Sequence, residues 1–412
     1  MNEQQIHTEV LPNGLTLVME KMPAVQSAAF TMLVPAGSIY DPQDEYGTSS
    51  VLADMLTRGA GDRNSRELSS DLDNLGLQRS ESAGTSHITL SGATLADNLP
   101  EVLRIYGDIV LRPQIPDDQF EAAREGALQS LYALEDEPRQ KIFSELKQRC
   151  IEKPWGRPNE GTIEGVEKLT NQTLKSHYQR NFRPNGAILG IAGNIDFKNV
   201  QEIVQQVFGD WKPQDPPALI PEETGPKWDH IEHDSAQTHI GISYDSITYS
   251  DPLYFAAWAS VSILSGGMSS RLFTEVREKR GLCYSIYASH SSMKQLARVL
   301  CYAGTTNERA QETLDVTLAE LQNLSTGITG AELDRCKARA KSSLVMQQES
   351  SYSRSSSIAR DWHHLGRVTT LNEVQDQINA LTVPRVEAFI ESHPAEDFTI
   401  LTIGPRMLEK RI

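Results

Sequence analysis

The strongest constraint on the fold is that the chain repeats itself. Asp41-Pro42 recurs as Asp251-Pro252, each after an alternating strand pattern and before an apolar helix pattern. GATLADNLPEVLRIYGDIVL, beginning at Gly92, pairs with GTTNERAQETLDVTLAELQNL at Gly304, and QFEAAREGALQSL at Gln119 pairs with LDRCKARAKSSL near Leu333. Leu169-Thr170 answers Leu381-Thr382, and a strand ending at Gly193 answers one ending at Gly404. The offsets run from 210 to 213 residues and the order is kept. Order and spacing together indicate a tandem duplication. The 412 residues then divide into two domains of about 200. Domains of that size bury roughly 70% of their extended-chain surface.

Between the copies lies KPQDPPALIPEETGPKW, with five prolines through which neither helix nor central strand can run. The expected organisation is therefore an N-terminal domain over 1–212, an extended linker over 213–227 and a C-terminal domain over 228–412. In the first domain, EVLPNGLTLVME reads as a hairpin turned at Asn13-Gly14, AAFTMLVPAGS as an apolar strand and TSSVLADMLTRG as an apolar helix. HITLSGAT alternates like a strand, NLPEVLRIYGDIVL has helical spacing, and GAILGIAG closes the half as a buried strand. Strands not regularly separated by helices predict an α+β class: two tandem domains, each an antiparallel sheet backed by helices.

Composition narrows function. The net charge of −16 repels a phosphate backbone, which argues against nucleic acid. No run of 18 apolar residues would span a membrane, and MNEQQIHTEVLPNG lacks a basic, apolar leader, so the expected location is cytoplasmic. The cysteines, Cys150, Cys283, Cys301 and Cys336, show no metal-ligand spacing and read as reduced structural thiols. His230 and His233, in a predicted strand, point to opposite faces; His363 and His364 lie about 100° apart on a predicted helix. Neither pair suits shared metal ligation.

Three stretches, AGSIYDPQDEYGTSSVLADML, NFRPNGAILGIAGNID and SGGMSSRLFTEVREKRGLCYS, resemble the zinc peptidases that include insulin-degrading enzyme, pitrilysin and mitochondrial processing peptidase. The resemblance covers nearly the whole length and is nearest to the two-domain branch that works as pairs of chains. It implies a zinc motif, H-x-x-E-H, on the helix after AGS, with a third carboxylate ligand roughly 76 residues later. Histidines at i and i+4 share a helical face and grip one Zn²⁺, while the glutamate serves as general base. Here the two histidine positions are Ser50 and Asp54, the base position is Ala53, and the third-ligand position falls at Ser130. Hydroxyls are poor zinc ligands. Without metal or base, no activated water is available to this chain alone.

The same resemblance places a substrate-contacting arginine and tyrosine, seven positions apart, at Arg277 and Tyr284. SSRLFTEVREKR reads as a helix capped at Ser269 or Ser270, Gly281 stands at its C′ position, and a strand pattern begins at Leu282. Arg277 and Tyr284 would converge over that turn, where they could bind a substrate carbonyl and stabilise oxyanion charge. On residue types alone, Arg277, Lys279 and Arg280 serve equally well as complements to the helix dipole, and Tyr284 as an ordinary strand aromatic. The turn Ser265-Gly266-Gly267-Met268 is implied to line the substrate cavity, and reads equally as a plain helix-entry turn.

The leading expectation is a zinc-free subunit. It would contribute Arg277 and Tyr284 in trans to a homologous zinc-bearing chain, the two forming a heterodimer that admits peptide substrates. No cofactor belongs to this chain in that reading, and zinc belongs to the partner. The alternative is a noncatalytic peptide-binding or scaffold subunit, like the related core subunits of the respiratory cytochrome bc1 complex. A self-sufficient peptidase with another metal geometry lacks a visible ligand triad.

Overall fold

The computed structural model describes residues 4–411. Two compact units emerge, and neither is contiguous in sequence. The first comprises the chain up to Ala133, Lys153–Glu222 and Met346–Thr369; the second comprises Leu134–Glu152, Glu223–Val345 and the chain from Thr370.

In the first unit the strands are β1 (Gln5–Val10), β2 (Thr16–Lys21), β3 (Ser27–Val34), the two-residue β4 (Gly59–Ala60) and β5 (Arg63–Asn64), β6 (Gln78–Ala83), β7 (Ile88–Leu95) and β8 (Ile188–Gly193). The second holds β9 (Trp228–Glu232), β10 (Gln237–Ser246), β11 (Cys283–Ser292), β12 (Ala297–Thr306) and β13 (Thr399–Gly404). The first main sheet runs β1-β2-β8-β3-β7-β6 and the second β9-β13-β10-β12-β11. Strip β1 from the first and the two orders superpose strand for strand, as a duplication requires. Each sheet also carries one parallel pair, β2 with β8 and β9 with β13, within otherwise antiparallel ladders. The sheets are otherwise antiparallel and backed by helices, as the sequence predicts. The parallel pairs arise because β8 and β13 return from long helical segments and enter the middle of their sheets.

Local chemistry explains the elements. The β1–β2 hairpin turns with Gly14 at φ 89°, while Asn13 Oδ1 accepts the Leu15 N–H at 3.1 Å and Asn13 Nδ2 donates to Phe208 O at 2.7 Å. β8 is buried throughout, as its unbroken apolar run predicts. One face of the first sheet meets the helix Leu99–Leu111 through Phe30 and Tyr106, whose rings pack edge to face at 4.5 Å.

The other face of each sheet is covered by a helix from the opposite half of the sequence. Ser351–Leu365 packs on β3, β8 and β2, with Ile358 and Ala359 against Val18 and Ile188. Pro138–Cys150 packs on β10 and β13, with Ile142 and Leu146 closing over Gly241. The first copy thus supplies a helix to the second sheet, and the second copy returns one to the first.

Candidate functional site

Two places carry the residues that the sequence singled out, one in each unit. In the first unit the helix Thr48–Met55 is started by Asp41. That carboxylate accepts the Gly47 and Ser49 N–H groups, each at 2.9 Å, and so satisfies donors that a helix start leaves unpaired. Burial pushes its pKa up to about 7, against the lowering effect of those two donors. Arg157 donates to Asp41 O at 2.9 Å and stacks over Tyr46, which pins the same corner.

A cavity of ≈ 350 Å³ opens beside this helix, lined by Ser50, Ala53, Asp54, Glu81, Asn159 and Glu160 among others. Three of the four positions that a zinc motif would use therefore face one space. Ser130 does not: it is exposed, its hydroxyl donates to Gly126 O at 3.0 Å, and it is not part of the cavity lining. The donor set does not fit zinc. Ser50 offers a hydroxyl, Ala53 a methyl group, and Asp54 is gripped by Arg58 through Nε at 3.1 Å and Nη2 at 2.8 Å. Among the described residues, no group of three or more His, Cys, Asp or Glu is arranged to hold a metal ion.

In the second unit, Arg277 and Tyr284 do come together. The guanidinium carbon lies 5.1 Å from the Tyr284 ring centroid and 4.6 Å from that of Phe273, so the cation is sandwiched between two aromatic faces. Two one-residue irregularities arrange this. The segment read from sequence as a regular α-helix changes to a π-turn over Phe273–Glu278, marked by Lys279 N–H donating to Thr274 O at 2.9 Å. After the turn, β11 bulges between Cys283 and Ser285, which leaves Tyr284 without a ladder partner and 82% exposed. Between them Gly281 takes φ 59°, its N–H donates to Arg277 O, and Leu282 N–H donates to Val276 O, each at 3.0 Å.

The neighbouring cations have other employment. Lys279 and Arg280 both pair with Glu275, at 2.6 and 3.2 Å, and Lys279 first among the causes draws the Glu275 pKa down. Among the described residues Arg277 has no carboxylate partner. Phe273, one helical step before Arg277, completes the sandwich and was not anticipated; its i, i+4 spacing to Arg277 was the available signal. Of the two turn glycines, Gly267 has φ 154° and is exposed, whereas a side chain on Gly266 would meet Ser262 O at 2.3 Å.

Comparisons with known proteins bear on the family. The family described as Insulinase (Peptidase family M16) matches residues 16–162, and the Peptidase M16 inactive domain matches 168–340. The chain belongs to peptidase family M16. An uncharacterized zinc protease of Mycobacterium tuberculosis is 27% identical over 403 residues, covering 96% of this chain and 92% of that protein. Among solved structures, a Pseudomonas fluorescens protein described as a peptidase M16 inactive domain has a TM-score of 0.89 at 22% identity, over 98% of this chain and 99% of the other. A chain of complex III2 from Candida albicans, with Inz-5 bound, has a TM-score of 0.84 at 19% identity, over 97% and 96%. These two likenesses are of fold. Among the described residues no helix is long and apolar enough to cross a membrane.

Proposed function

We propose that this M16 chain is the zinc-free subunit of a two-chain metallopeptidase, in which Arg277 and Tyr284 contact substrate bound at the zinc of a homologous H-x-x-E-H partner. The observation that carries the reading is the presentation of Arg277. A guanidinium without a carboxylate partner among the described residues, held between Phe273 and the exposed phenol ring of Tyr284, is preorganised to bind a peptide carbonyl rather than to support the fold. The unmatched window at Ser50, Ala53 and Asp54 supports it from the other side, since hydrolysis then needs a metal from elsewhere. Peptide is the substrate class, and Gly266-Gly267 belongs to the surface that substrate would cross.

The test is reconstitution with an M16 homologue from the same cell that carries H-x-x-E-H. The mixed pair should hydrolyse a quenched peptide, and each chain alone should not. Arg277→Ala with Tyr284→Phe should lower kcat by about 10²-fold, the usual cost of removing an oxyanion donor, without loss of pairing. Undiminished activity in that double variant would remove Arg277 and Tyr284 from the mechanism. A noncatalytic subunit is the second reading. It is favoured by the Arg58 clasp on Asp54, which fills the former ligand position with a closed ion pair. That reading predicts pairing with a larger assembly and no hydrolysis with any zinc-bearing homologue.

A further inference from the structure

The duplication gives the former metal pocket a counterpart in the second unit. In the first unit that pocket lies where the helix Thr48–Met55 meets the sheet-edge strand β6 at Glu81, Ser82 and Ala83. In the second, a cavity of ≈ 420 Å³ lies where the helix Tyr254–Ser265 meets the equivalent edge strand β11 at Ala288, Ser289 and His290. Its third wall is the helix Gly330–Gln348, and it includes Ser343, which stands 213 positions after Ser130. The second unit therefore keeps an open pocket at the repeat's ligand-binding corner, with different chemistry inside.

That chemistry is cationic. Arg335 and Arg339, one helical turn apart on the third wall, both line the cavity, and among the described residues neither has an acidic partner. A side chain at Gly267 would stand 3.6 Å from Arg339 Nη1, so the glycine turn lies directly against this guanidinium. The single carboxylate in the lining, Glu332, is already neutralised. Arg271 donates to it through Nε at 2.8 Å and Nη2 at 3.3 Å, and although burial acts upward, these contacts hold its pKa at about 2. His290 Nε2 meets Ser246 Oγ at 3.0 Å, and burial lowers its pKa. The remaining wall is amphipathic, with Trp258 and Tyr254 half-buried beside serine hydroxyls.

We infer that this pocket binds a carboxylate-bearing peptide segment, with Arg335 and Arg339 clasping the carboxylate and Trp258 and Tyr254 taking the adjacent apolar side chain. Two guanidiniums match carboxylate geometry, and the aromatic wall distinguishes a peptide from a free inorganic anion. In a chain of net charge −16, an acidic segment is repelled by most of the molecule, so a local cationic pocket selects where it docks. The inference deepens the proposed peptide function by assigning a substrate subsite, but it requires neither a partner chain nor Arg277 and Tyr284.

Calorimetry on the full chain alone tests it, with Ac-AFEELA-NH2, Ac-AFQQLA-NH2, Ac-AFQQLA-OH and inorganic phosphate as probes. Ac-AFEELA-NH2 should bind at least about tenfold more tightly than its blocked glutamine counterpart. The free-terminus peptide separates a terminal carboxylate from a side-chain one, and preference for either supports the site. Arg335→Ala with Arg339→Ala should abolish the preference, whereas Arg104→Ala, an exposed arginine of the first unit paired with Glu101, should leave it intact. Both pocket arginines are exposed, so the double variant should keep the wild-type unfolding transition. Equal binding of the blocked acidic and neutral peptides with no gain from a free terminus, binding of phosphate alone, or a preference that survives the double substitution would each overturn the inference. None of these outcomes depends on hydrolysis, so failure here is distinguishable from failure of the two-chain reading.

Discussion

The helices Pro138–Cys150 and Ser351–Leu365 begin 213 positions apart and do the same architectural job, yet they grip their sheets by different means. Ser351–Leu365 adds a set of polar pairs to the apolar contact of Ile358 and Ala359. Ser351 and Ser27 hydroxyls meet at 2.9 Å, Ser355 and Thr31 at 3.0 Å, Tyr352 and Ser91 at 3.0 Å. In its first turn Arg354, 1% exposed, places Nε 2.8 Å and Nη2 2.7 Å from Glu20 Oε2 on β2. Pro138–Cys150 is held by shape. Ile142 and Leu146 fill the space over Gly241, Phe143 packs against Tyr287 and Tyr302, and Arg149 pairs with Asp229 near the helix end. Duplication fixes where a helix sits and leaves open which interactions keep it there. Directional polar pairs define one register, whereas aliphatic packing tolerates repacking at modest cost.

The sharpest way to break this comparison is Arg354→Ala. It removes the cation facing the buried Glu20 carboxylate and should cost about 3–5 kcal/mol in chemical denaturation, with Arg354→Met plus Glu20→Leu recovering most of that loss. If Arg354→Ala costs no more than an exposed arginine substitution, the polar grip is not what holds the helix. Next comes Ile142→Val on the other helix, which removes one methylene and should cost about 0.5–1.5 kcal/mol. An equal or larger loss at Ile142 would erase the distinction. The smallest expected effect is of pH, and His239 in the second sheet contributes to it. His239 Nδ1 meets Tyr302 OH at 2.8 Å beneath the Pro138–Cys150 helix, and burial, then the charges of His233 and Arg139, lower its pKa below 6.5. The unfolded chain then takes up a proton first on acidification, so stability falls as pH drops below about 6.5. His239→Asn should reduce the slope of the unfolding midpoint across that window, to which the buried His177 and His290 also contribute, and an unchanged slope would refute it.

The sequence carried the duplication, the strand and helix patterns, and the meeting of Arg277 with Tyr284, because Gly281 marks the turn that joins them. Ser50, Ala53 and Asp54, aligned with the zinc window by position, do line one cavity, whereas Ser130 is not brought to it. The exchange of helices was not legible. Helical periodicity shows that one face is buried but not against which sheet, and SYSRSSSIARDW reads as a solvated surface until its hydroxyls find partners on β3 and β7. The π-turn and the β11 bulge were hidden as well, since one inserted residue changes direction without changing composition. The cationic pocket is assembled from three segments up to roughly 90 residues apart, a juxtaposition that only tertiary packing reveals.

The helix exchange also sets a timetable for biosynthesis. When residue 222 has been added, every strand of the first sheet exists, but the face formed by Val18 and Ile188 has no cover until the segment ending at Leu365 is made. At typical elongation rates that delay is on the order of ten seconds, during which an apolar sheet surface stands open on the nascent chain. A ribosome-bound fragment ending in the proline linker should therefore recruit holding chaperones or clump. One extended past Leu365 carries the cover for that face, so the first-made half waits on a segment of the second copy to become self-sufficient.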